Sequence, residues 1–123
     1  MARKKIQTMV MEGTLTQAEA LKALSMAAQS ATDAMPYALL KCQEHADMQK
    51  IIADRDTCLL AYTNAMTRTL QHTGPLFEKI AKELITAAKT VNRKTQSLKD
   101  ATEAVELLAN LVRVAAKLAL AFV

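Results

Sequence analysis

Along the second half of this chain apolar residues recur in alternating steps of three and four. The series is Phe77, Ile80, Leu84, Ala87, Val91, Lys94, Leu98, Ala101, Val105, Leu108, Val112, Ala115, Ala119 and Phe122, and Lys94 alone breaks the stripe. That spacing keeps one side of a helix against a partner helix, so it predicts one very long helix or two collinear ones. A second stripe, Leu21, Leu24, Ala28, Ala31 and Met35, marks an earlier helix whose small side chains allow a neighbour to approach closely. Thr16 and Glu19 have the T-x-x-E form of a capping box and place the start of that helix at Thr14 to Thr16.

Three interruptions divide the pattern. Pro36 lacks an N–H and disfavours helical geometry in the residue before it, so it either sits in the first turn of a new helix capped by Asp33 or kinks a helix that passes through. The heptad from Met35 continues in phase through Ala38, Cys42, His45, Ile52, Leu59, Met66 and Leu70, with Gln49, Asp56 and Thr63 as polar faults, and this continuity favours the kink. His72-Thr73-Gly74-Pro75 is the stronger break: Gly74 suits a helix end and Pro75 suits the first position of the next helix, so Gly74-Pro75 is read as a tight hairpin turn. The polar run Asn92 to Ser97 is a third candidate break, after which Ser97 to Asp100 offers caps for a further helix.

These signals predict an all-α chain with helices at about 14–35, 36–72 and 75–122, the last with an optional break near 92–97. Residues 1–13, carrying Arg3, Lys4 and Lys5, are read as a flexible basic arm. The favoured architecture is an elongated antiparallel helical hairpin or bundle reversing at Gly74-Pro75, and the alternative is a compact three- or four-helix bundle. Composition agrees with the all-α class. Hydrophobic residues make up 51% of the 123 positions, with only 2 Gly and 2 Pro, and the β-branched and aromatic clusters that mark strands are missing.

The segment from Ala101 to Val123 is wrapped in apolar surface. Glu103, Glu106, Asn110, Arg113 and Lys117 form one narrow polar strip, and nearly everything else is Ala, Val, Leu or Phe. A surface helix has an apolar stripe little more than 100° wide, so this helix must be covered on most sides. Its own bundle, another subunit or a bilayer are the three coverings. Leu107, Leu108, Leu111, Val112, Leu118 and Phe122 are the candidate interface for a second copy of the chain or another helical protein. The membrane reading ranks behind, because Glu106, Asn110, Arg113 and Lys117 would cost several kcal/mol at a bilayer centre.

Chemistry is sparse. Cys42 and His45 share a helical face at i, i+3, but zinc needs three or four such ligands and no further cluster completes a set. Cys42 and Cys58, if on one helix, lie roughly 24 Å apart and cannot be bridged. Free thiols fit a reducing, cytoplasmic location, and Arg3-Lys4-Lys5 is followed by no apolar signal core. His45 and His72 are too far apart along one helix to share a catalytic site, and no cofactor motif is present. Asp56 and Lys94 fall near one level of the expected hairpin, where a buried pair would fix the register.

The net charge of +4, from 16 Lys and Arg against 12 Asp and Glu, is mild for a nucleic-acid binder. Lys79, Lys82, Lys89, Arg93, Lys94 and Lys99 read as a solvated face rather than a phosphate track, since only four aromatic residues exist to stack on bases. The sequence therefore leads to a non-enzymatic helical protein–protein interaction module, a homo-oligomer, adaptor or chaperone-like partner. Membrane activity and weak nucleic-acid binding are the alternatives.

Overall fold

Thr16 opens the first helix as the capping box predicts. Its hydroxyl accepts the backbone N–H of Glu19 at 3.1 Å, while the Glu19 carboxylate accepts the backbone N–H of Thr16 at 3.0 Å. The bond from the Thr16 backbone, and after it a bond donated by the Thr16 hydroxyl to the same carboxylate at 2.9 Å, hold the Glu19 carboxyl below its ordinary pKa. The computed structural model describes residues 14–123, so the basic arm expected at 1–13 lies outside the described residues. Four helices follow: α1 (Gln17–Lys41), α2 (His45–Met66), α3 (Pro75–Lys94) and α4 (Ala101–Ala119), with a 3₁₀ turn at Thr95–Ser97. Among the described residues there is no strand, only an isolated antiparallel bridge between Leu70 and Phe122. The chain is all-α, as the pattern predicts.

Within that class the four helices pack into one bundle instead of two long paired helices, and each boundary has a local cause. α1 continues through Pro36 and ends at Lys41, so the helix passes through the proline and the boundary expected at 35/36 is not there. The missing N–H of Pro36 frees the carbonyl of Thr32, and both residues face solvent, where water can take its place. The break falls instead at Cys42, which leaves helical geometry with φ −85° and ψ 135°, and Glu44 then caps α2 without a side-chain hydrogen bond. The chain also breaks after Lys94, where Asp100 accepts the backbone N–H of Glu103 at 2.9 Å and starts α4.

The reversal at Gly74-Pro75 is looser than the expected tight hairpin. α2 ends at Met66 and α3 begins at Pro75, with residues 67–74 crossing between them. Pro75 takes the first helical position as predicted, but Gly74 is the N-cap of α3 at φ −70°, not the left-handed terminus of the preceding helix.

α1 lies at the centre and packs against α2, α3 and α4. Its buried face is Ala20, Ala23, Leu24, Ala27, Ala28, Ser30, Ala31, Ala34 and Ala38, so small side chains let all three neighbours close in. Larger residues from those neighbours, Ile51, Leu84, Val91, Leu108, Leu111 and Leu118, fill the space around it. α2 and α3 occupy opposite corners and do not pack on each other, whereas α4 touches all of α1, α2 and α3. α1 and α3 run parallel: Leu15 donates its N–H to the Thr73 carbonyl at one end, and Gln96 reaches the Tyr37 hydroxyl at the other.

Candidate interaction surfaces

The residues that the sequence nominates as an interface are mostly interior. Leu108, Leu111, Leu118 and Phe122 are buried, and Leu107 and Val112 are half-buried against the same core. Apart from Leu120 and Val123, which stay exposed, the large apolar side chains that a second subunit or a bilayer would have covered are covered by α1, α2 and α3. The covering that prevails is the chain's own bundle. Compactness supplies it: once the chain breaks after Lys94, α4 folds back antiparallel to α3 and meets three helices instead of one.

Among the described residues, exposed large apolar side chains recur at helical spacing on α2, whereas Tyr37, Leu40, Leu76, Leu120 and Val123 are exposed on other elements. Helix α2 turns Ile51, Cys58 and Ala65 inward, all at 2% exposure or less, and these are the residues one position before Ile52, Leu59 and Met66. The stripe expected to be the seam is therefore the outer one: Ile52 is 39%, Leu59 43%, Leu60 58% and Met66 48% exposed. The cause is the break at 42–44. Three non-helical residues reset the rotation of the chain, so the phase that holds in α1 through Met35, Ala38 and Cys42 is not carried into α2. A signal was present in the sequence: the doublets Ile51-Ile52, Cys58-Leu59 and Ala65-Met66, each seven apart, mark a helix with apolar positions on two neighbouring faces.

Between the members of this outer stripe sits a charged pair. Arg55 Nε lies 2.8 Å from Asp56 Oδ1, with the two side chains 23% and 53% exposed. Asp56 thus pairs with its own neighbour, and the Asp56–Lys94 pair does not form, because α2 and α3 stand at opposite corners. On the inner side, Asp54 has its Oδ2 buried without a hydrogen-bond partner, and burial raises the pKa of its carboxyl against a smaller lowering by Lys50. One turn further on, burial first and the Asp54 charge second push the Cys58 thiol up to about 12.

Cys42 and His45 do not share a face. Cys42 closes α1, its thiol donating to the Ala38 carbonyl at 3.4 Å, and His45 is the first residue of α2. Both cysteines are buried and free, now on two different helices rather than one. His72 stacks on Phe77 with ring centroids 5.5 Å apart. Among the described residues no group of three or more His, Cys, Asp or Glu is placed to hold a metal ion, and no helix is long and apolar enough to cross a membrane.

A second surface is a shallow groove between the antiparallel helices α3 and α4. Lys79, Lys82 and Glu83 line it from α3, and Asn110, Arg113 and Lys117 line it from α4. Two polar strips that are unrelated along the sequence are brought together there. No protein-family model, no curated protein and no solved structure matches this chain.

Proposed function

We propose that this chain is a non-enzymatic helix–helix interaction module that associates with a second copy of itself through the outer face of α2, in a reducing compartment where Cys42 and Cys58 stay thiols. The observation that supports this reading is the outward stripe Ile52, Leu59 and Met66, seven residues apart and 39 to 48% exposed, widened by Leu60. Seven-residue spacing is what a helix needs to lie along another at a shallow crossing angle. An antiparallel pairing about Leu59 sets Ile52 opposite Met66 of the second copy, so the stripe is complementary to itself, as a two-fold contact requires.

Magnitudes decide what kind of association this is. Fully burying a large aliphatic side chain returns about 1.5–3 kcal/mol, and these four are already half covered, so each contributes roughly 1 kcal/mol. A total of about 4 kcal/mol only reaches the low end of the ~4–15 kcal/mol lost in translational and rotational freedom. The contact is accordingly transient and concentration-dependent, not obligate.

Sedimentation equilibrium over a wide range of concentration tests it. The expected result is a reversible monomer–dimer equilibrium that Leu59→Lys abolishes and Leu76→Lys, at an exposed apolar position on α3, leaves unchanged. A monomer at every concentration, or an equal loss from Leu76→Lys, overturns the reading.

A further inference from the structure

The groove between α3 and α4 concentrates positive charge, of which only Lys82 also acts on a carboxylate elsewhere in the fold, lowering the pKa of Glu19 on α1. Lys79, Lys82, Arg113 and Lys117 face it, against the single carboxylate of Glu83. Among the described residues the one ion pair within 4.0 Å is Arg55–Asp56, so none of these four cations is neutralised by a direct partner. Arg113 is held in place by Asn110, whose side-chain oxygen accepts from its guanidinium. Like charges on two facing helices repel each other, and an anion laid between them removes that repulsion while gaining attraction from both sides.

The spacing says what shape of anion fits. Lys79 and Lys82 are three apart on α3, and Arg113 and Lys117 are four apart on α4, so each helix presents cations roughly 5 Å apart along the groove. The antiparallel run brings Lys79 toward the Lys117 end and Lys82 toward the Arg113 end, giving two levels of paired cations. Carboxylates at i and i+4 on a helix have the same rise. The floor is built from Ala87 and Val114, short side chains that leave room for another helix to settle between the two.

The groove is open and its cations are exposed, so no desolvated pocket exists to grip a small anion such as free phosphate. Its lining contains no aromatic ring on which a nucleic-acid base would stack. A duplex, about twice as wide as a helix, would rest on the rims without reaching the floor. The geometry points to an acidic helical segment of a partner protein as the occupant, docked with a row of Glu or Asp side chains between α3 and α4. This site shares no residue with the α2 face and is independent of self-association.

The test uses the full chain and two blocked helical peptides, one with glutamates at i, i+4 and i+7 on one face and its glutamine isostere. Amide chemical shifts are followed by NMR at low and physiological salt. The expected result is binding of the glutamate peptide alone, with shifts centred on residues 79–90 and 110–117. Affinity falls as salt rises, and falls roughly tenfold in the double variant Lys82→Gln/Arg113→Gln, as the loss of two exposed ion pairs implies. Leu59→Lys leaves this binding intact, which separates it from the α2 contact. Equal binding of the glutamine peptide, shifts that map elsewhere, or tighter binding of a single-stranded oligonucleotide of equal charge at the same salt overturns the proposal.

Discussion

Thr69 and Val123 exchange two backbone hydrogen bonds, the Thr69 N–H donating to the Val123 carbonyl at 3.2 Å and the Val123 N–H returning at 2.9 Å. With Gln71 N–H on the Ala121 carbonyl at 2.8 Å, they tie the crossover between α2 and α3 to the segment that follows α4. Phe122 lies between them at 5% exposure and anchors this short ribbon in the core.

Phe122→Ala is expected to destabilise the fold by about 3 kcal/mol, the lower end for removing a buried phenyl group, because the site lies at one end of the bundle where neighbours can relax. Urea denaturation followed by circular dichroism measures the loss. Native-state hydrogen exchange should show protection falling first at Thr69, Gln71 and Val123.

Gly74→Ser should stabilise the protein by roughly 0.5–1 kcal/mol. The backbone at Gly74 is extended, with φ −70° and ψ 179°, and an added Cβ would meet nothing within 4 Å. A serine there gains a hydroxyl to cap α3, which has no side-chain cap, and loses conformational freedom in the unfolded chain. A decrease in stability, read from the urea midpoint, would show that the turn does not accommodate a side chain at Gly74.

Asp54→Asn is expected to raise stability near neutral pH and to lose that advantage in acid. The folded state raises the Asp54 carboxyl above its ordinary pKa, so between the unfolded and folded values the folded form holds more protons. Wild-type stability therefore falls as pH rises through that window, and the penalty is fully present above it. Below the window Asp54 is protonated in both states and the two proteins differ little. Stability measured against pH for both proteins checks the sign; a parallel offset at every pH would place the effect in packing instead of charge.

Both thiols should resist aromatic disulfide reagents in the native protein at pH 8 and react at once in urea. With its thiol pushed up to about 12, Cys58 is thiolate in about one part in ten thousand at that pH. Burial raises Cys42 too, with the Asp47 charge adding to it. A fast-reacting native thiol would reveal local opening of α1 from α2.

What the sequence by itself determined is local or periodic. Capping chemistry placed the start of α1 at Thr16, proline geometry placed Pro75 at the first turn of α3, and the three-and-four stripe from Phe77 to Phe122 is buried or half-buried at every position except Lys94. That stripe stays in register even though the helix breaks after Lys94. The break at 42–44 was not legible, because Cys42-Gln43-Glu44 contains neither Gly nor Pro and Glu44 makes no side-chain cap. Only tertiary packing favours a reversal there, since folding α2 back over the alanine face of α1 buries Ile51, Cys58 and Ala65. That reversal decided which of the two adjacent stripes of α2 faces outward. The antiparallel return of α4 likewise turned Leu108, Leu111 and Leu118 into core and set Arg113 and Lys117 beside Lys79 and Lys82. A hydrophobic period tells which residues share a face; which neighbour covers that face depends on contacts between residues far apart along the chain.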